Sequence, residues 1–258
     1  MKRTILVALF VLLSVFCAGA SFALSIDVTD GSLSDWGVTP GTNWTPTSSS
    51  NLFYTVEDQT SYFLYPGYGG QDYDAEAMYT YFDNTNLYFA VVTGFPFTGL
   101  NGIRPGDIAI QFGAKTAAYT YGIETTGNGG FSKGTLYDVK TWGLGEKNWG
   151  IWNGNNANYN AYLGAPTEIL AINGTIWTPG TTNIMYSYYG PKRYIIEGYV
   201  PVSAFGDNWT HNYDFRVHWT ETCGNDFIEV DGKVAPEPAT MALVAFGLAG
   251  FVARKKRV

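Results

Sequence analysis

Short apolar and aromatic runs, broken every few positions by Gly, Asn, Asp or Pro, fill the chain between residues 24 and 234. Runs of this length with such boundaries predict strands, here at 52–56, 77–82, 87–93, 107–112, 118–124, 135–140, 168–172, 184–188, 193–200 and 215–220. Asp83-Asn84-Thr85-Asn86 predicts a hairpin turn between the second and third. Leu87-Tyr88-Phe89-Ala90-Val91-Val92 is apolar without interruption, which predicts a central strand buried on both faces. No helical period and no repeat of about 20 to 50 residues competes with this pattern, so a propeller or solenoid is not expected. The expected fold is all-β, a two-sheet antiparallel β-sandwich of jelly-roll or immunoglobulin-like type.

Composition supports that class. With 46% hydrophobic, 17% aromatic and 14% charged residues, the chain is not disordered, collagen-like or a coiled coil. Its 31 Gly among 258 residues exceed the usual ~7% and fit a turn-rich fold. The net charge of -7 understates the acidity of the middle, because six of the 15 Lys and Arg lie at the two ends. With Glu237 also outside it, the middle keeps 9 basic against 21 acidic residues, a field that repels phosphate backbones, so no nucleic acid is expected as a partner. Of the two cysteines, Cys17 falls in the export signal described next, leaving Cys223 as a small buried side chain.

Both ends carry signals. Lys2 and Arg3 precede an apolar run over residues 5–16 and small residues at Ala18, Ala20 and Ala23, the layout of a secretory signal peptide over 1–23 removed by signal peptidase. At the other end, Pro236-Glu237-Pro238 leads into an apolar stretch over 240–253 and then Arg254-Lys255-Lys256-Arg257. As a helix that stretch reaches only about 21 Å at ~1.5 Å per residue, a marginal membrane span whose basic flank stays on the cytoplasmic side. A single transmembrane helix anchoring the protein in the inner membrane is therefore expected, with residues 24–234 as one exported domain.

This tail, residues 235–258, resembles the PEP-CTERM sorting signal of Gram-negative and related bacteria. The resemblance implies cleavage near the motif by an exosortase and delivery to the cell surface or the exopolysaccharide matrix, typically in biofilm-forming bacteria. It speaks of destination and processing.

The middle offers two candidate chemistries. Residues 141–166 are rich in Gly and Asn around Trp142, Trp149 and Trp152, with Tyr159 and Tyr162. Such rings stack on the apolar faces of sugars while Asn155, Asn156 and Asn158 bond hydroxyls, and the competing reading has the three Trp closing one end of the core. Acidic clusters occur at Asp27, Asp30 and Asp35, at Asp72, Asp74 and Glu76, and at Asp226, Glu229 and Asp231. Asp74, Glu76 and Asp226 are the expected ligands of a structural calcium ion, against the alternative of solvated surface acids, and none of the clusters follows the EF-hand order. His218 and Cys223 do not make a zinc site, and no nucleophile elbow, metalloprotease helix or phosphate loop is present. A glycosidase needs two placed carboxylates, and nothing in the sequence selects them.

Asp30-Gly31-Ser32-Leu33-Ser34-Asp35-Trp36, Asp74-Ala75-Glu76-Ala77-Met78-Tyr79 ahead of Asn86-Leu87-Tyr88-Phe89-Ala90, Gly106-Asp107-Ile108-Ala109-Ile110, and Ile196-Glu197-Gly198-Tyr199-Val200-Pro201 ahead of residues 219–226 together resemble the DOMON-like sandwiches related to family-nine carbohydrate-binding modules. The resemblance runs along most of residues 26–231. It implies a β-sandwich that binds sugars through paired Trp and often holds calcium, without assigning the Trp residue by residue. The expected function is thus a non-catalytic carbohydrate-binding module for exopolysaccharide. A structural matrix protein without a specific ligand and a polysaccharide-degrading enzyme are the alternatives.

Overall fold

The computed structural model describes residues 24–39, 44–47, 51–57, 69–114, 118–144, 166–210, 214–224 and 226–233. The signal segment, Trp149, Trp152, the Pro236-Glu237-Pro238 motif and the terminal basic cluster lie outside them.

Eleven strands are described: β1 (Leu52–Val56), β2 (Ala75–Phe82), β3 (Asn86–Thr93), β4 (Ile108–Phe112), β5 (Tyr121–Ile123), β6 (Leu136–Leu144), β7 (Pro166–Trp177), β8 (Ile184–Gly190), β9 (Arg193–Pro201), β10 (Asp214–Thr220) and β11 (Phe227–Lys233). They form two sheets, ordered β1-β2-β3-β9-β8 and β11-β10-β4-β5-β6-β7, with every pairing antiparallel. The sheets share one core. Met78, Phe89, Val91 and Ile196 of the first pack with Ile108, Ile110, Val217 and Trp219 of the second. On one side β1 reaches β11 through the Thr55 hydroxyl, which donates to the Glu229 carbonyl at 2.6 Å.

The expected hairpin is present between β2 and β3. One oxygen of Asp83 accepts the backbone N–H groups of Thr85 at 2.6 Å and Asn86 at 2.8 Å, an Asx turn that fixes the register.

Strand β3 is buried on both faces, as its unbroken apolar run predicts. Leu87, Phe89 and Val91 point into the shared core, and Ala90 and Val92 point the other way. The chain before β1 covers that outer face: Leu33, Trp36, Val38 and Trp44 pack on Ala77, Tyr79, Tyr81, Ala90, Val92 and Ile195. Two tyrosines fasten the cover, Tyr79 donating to the Trp44 carbonyl at 2.5 Å and Tyr81 accepting the Leu24 N–H at 3.1 Å.

Strand β11 is the element missing from the sequence-derived set. Its core-facing Ile228 and Val230 alternate with Glu229 and Asp231, so two acids of the cluster Asp226, Glu229 and Asp231 lie on a half-buried edge strand, and Asp226 is buried just before it. Among the described residues no helix is long and apolar enough to cross a membrane.

Candidate functional site

At one end of the second sheet the chain is tied into a tight node. A Cβ on Gly106 would lie 2.0 Å from the Thr220 carbonyl oxygen and 2.3 Å from that of Thr167, so only glycine brings these three backbones together. The Gly106 carbonyl accepts the Trp219 indole N–H at 3.1 Å and the Thr125 hydroxyl at 2.7 Å. Asp107 follows, 3% exposed, and accepts the backbone N–H of Thr125 at 3.0 Å on one oxygen and that of Ile169 at 2.8 Å on the other. Burial, and next the charge of Glu124, hold its carboxyl well above the usual range. Burial raises Glu124 as well, although one of its oxygens accepts the N–H groups of Thr126, Gly127 and Asn128.

Outside this node lies a cleft of about 300 Å³ lined by Gly102, Ile103, Arg104, Gly143, Leu144, Thr167, Glu168, Leu170, Thr222 and Cys223. Arg104 forms an ion pair with Glu168, and its backbone exchanges hydrogen bonds with Thr222 at 2.9 and 3.0 Å. Leu144 and Leu170 are 51% and 54% exposed, leaving apolar surface beside the charged pair. The cleft therefore offers apolar walls and a few fixed polar groups, the composition of small-ligand sites. Leu144, Thr167 and Glu168 flank residues 145–165 in sequence, so the Gly- and Asn-rich segment leaves and rejoins the fold at this cleft.

Behind the Thr222-Cys223 wall stands a second group of acids. Asp226 accepts the Ala75 N–H at 2.8 Å, and Glu221 accepts the Asp226 N–H at 3.0 Å and the Cys223 thiol at 3.4 Å. Burial pushes the Glu57 carboxyl up as well, with its interaction with Asp226 acting against that. Burial, followed by the charges of Glu57, Glu221 and Asp74, pushes the Asp226 carboxyl well up.

The structure thus brings Asp74 and Asp226 into one buried group. It gives Glu76 to Arg193, at 3.0 Å, and to Gln71. Trp142 is half-buried on β6, packs with Tyr137, Val139 and Ile169, and donates its indole N–H to the Tyr119 carbonyl at 2.8 Å. Arg104, Asp107, Glu124, Glu168, Glu57 and Glu221 are not among the residues that the sequence pattern singles out for a site. An acid set against an apolar strand run, as in Gly106-Asp107-Ile108, was the available signal for the buried ones.

One comparison with known proteins bears on the chain's processing. Residues 234–257 match the family model of the PEP-CTERM protein-sorting motif. That motif implies an exported protein that an exosortase-type enzyme recognises and that is held transiently at the membrane. No curated protein and no solved structure matches the chain, so the DOMON-like resemblance of the strand domain rests on its own residues.

Proposed function

We propose that this PEP-CTERM-tailed protein is a non-catalytic surface or matrix module that binds extracellular polysaccharide, with the cleft at Arg104, Glu168 and Thr222 as its contact site. The observation that carries the reading is the pairing of exposed leucines with a fixed Arg–Glu pair at the point where the Trp-rich segment joins the fold. Sugars present apolar ring faces and hydroxyl edges together, and such a surface meets both. Trp142, Trp149 and Trp152 are the aromatic contacts of this reading. The non-catalytic form is supported by the described lining of the cleft, in which Glu168 is the one carboxylate and is engaged by Arg104.

Affinity electrophoresis of residues 24–234 through gels containing the producing organism's own exopolysaccharide tests it. Retardation that falls in Arg104→Ala and in the triple Trp142→Ala, Trp149→Ala, Trp152→Ala variant supports the proposal. Unchanged mobility in every gel sinks it. Release of reducing sugar by the purified domain would instead establish the enzyme alternative.

A second reading, a structural surface protein, is favoured by edge strand β8, where Tyr188 and Tyr189 are 66% and 38% exposed on an edge that no other described strand pairs. Concentration-dependent self-association lost in Tyr188→Lys marks that reading.

A further inference from the structure

Three carboxylates meet on the outer face of the first sheet, far in sequence and outside the proposed polysaccharide cleft. One oxygen from each of Asp30, Asp35 and Glu197 lies within 4.8 Å of one from each of the others. Each carboxylate is oriented by a donor on one oxygen. The Ser32 N–H bonds Asp30 at 2.8 Å, the Asp27 N–H bonds Asp35 at 2.6 Å, and the Trp36 indole N–H bonds Glu197 at 2.9 Å. The remaining oxygens of Asp35 (Oδ1) and Glu197 (Oε2) are buried and accept no hydrogen bond, and Glu197 is 0% exposed.

A buried carboxylate oxygen facing two further acids is costly unless something positive sits among them. The charges acting most strongly on Glu197 are those of Asp35, Asp30 and Asp27, all of one sign. Protonating Glu197 would remove one charge and still leave the two aspartates beside each other with no positive partner among the described residues at the cluster. A cation satisfies both orphaned oxygens and offsets the repulsion together.

We propose that Asp30, Asp35 and Glu197 bind one divalent cation of the calcium class, which straps the N-terminal covering segment to β9. This site is distinct from the Asp74, Glu76 and Asp226 set. Oxygen atoms no more than 4.8 Å from one another are close enough to share one ion at calcium–oxygen distances of roughly 2.3 to 2.6 Å. The donors are all hard carboxylate oxygens with no imidazole or thiolate, which disfavours zinc and copper. Two of the three come from an irregular loop, and calcium accepts such adaptable geometry where magnesium demands a near-ideal octahedron. Backbone carbonyls and water complete the six to eight ligands that calcium takes.

The test uses the full-length chain in mild detergent, stripped with chelator. Terbium is titrated in while luminescence is excited through tryptophan, because Trp36 bonds Glu197 directly and transfers energy to an ion held there. Calcium chloride then competes the signal and is measured independently by calorimetry. One calcium site is expected, with a dissociation constant of about 0.1 to 1 mM, the range of extracellular modules. Asp30→Asn and Glu197→Gln should each weaken binding at least tenfold and lose the Trp-sensitised signal, and magnesium should compete poorly. Asp30 is exposed and Asn can keep the turn to Ser32, so Asp30→Asn remains decisive even if Glu197→Gln does not fold. Absence of calcium binding to the wild-type chain overturns the proposal, as does wild-type affinity in folded Asp30→Asn.

Discussion

Gly198 on β9 lies opposite Phe89 on β3, and a Cβ there would come 2.4 Å from the ring's Cζ. The aromatic ring occupies the space that a side chain would need, an arrangement repeated by Gly232 and Phe215 across β10 and β11. Gly198→Ala is expected to destabilise by about 1 to 3 kcal/mol through overpacking. Gly190→Ala, where a Cβ meets nothing within 4 Å, should stay within about 0.5 kcal/mol of wild type. Urea unfolding of the pair checks this. Asp107 carries a different constraint, since both of its oxygens accept backbone N–H groups. Asp107→Asn turns an N–H₂ toward one of those donors and should cost about 1 to 3 kcal/mol, read from the same unfolding curves. Neither site was legible as such in the sequence. A glycine in an apolar run marks close approach only once the partner strand is known, and an aspartate reads as surface until its backbone donors are seen.

Among the elements, the segment before β1 has the largest consequence for its length. Its described residues form no strand, yet they turn the outer face of β2, β3 and β9 into a second core. Trp36, fully buried and hydrogen-bonded to Glu197, is its anchor. Trp36→Ala should cost about 3 to 5 kcal/mol and expose that face. Hydrogen exchange should accelerate in β2 and β3 of the variant more than in β4 and β10, and equal protection across both sheets would refute this account of the cover. The ten expected strands all correspond to observed ones because alternation and turn residues act locally. Strand β11 escaped because its solvent-facing residues are acids, and β7 extends to Trp177 because pairing with β6 prolongs it beyond its apolar centre.

For the molecule as a whole, the acidity is partly internal. Asp107 faces Glu124 and, farther off, Glu168, with Arg104 beyond, and Asp226 faces Glu57, Glu221 and Asp74. Burial raises the Asp107, Glu124 and Asp226 carboxyls in the folded state, and the neighbouring acids add to it at Asp107 and Asp226. A raised folded value means that the stabilisation is fully present below the ordinary carboxylate range and is lost as pH rises through the elevated values. The melting temperature in chelator should therefore fall as pH increases from about 4 toward 8, and Asp107→Asn should flatten the slope. A melting temperature that rises over that range would refute the assignment. The all-β class, most strand positions, the two-faced burial of β3 and the sorting tail are legible along the chain, because strand periodicity, turn chemistry and a contiguous tripartite signal are all local patterns. Which acids are buried and which of them meet is set by packing between distant parts of the chain. Asp30 and Glu197, or Asp107 and Glu124, are brought together by sheet order and by the folding back of the N-terminal segment, and neither is encoded in any short stretch of chain.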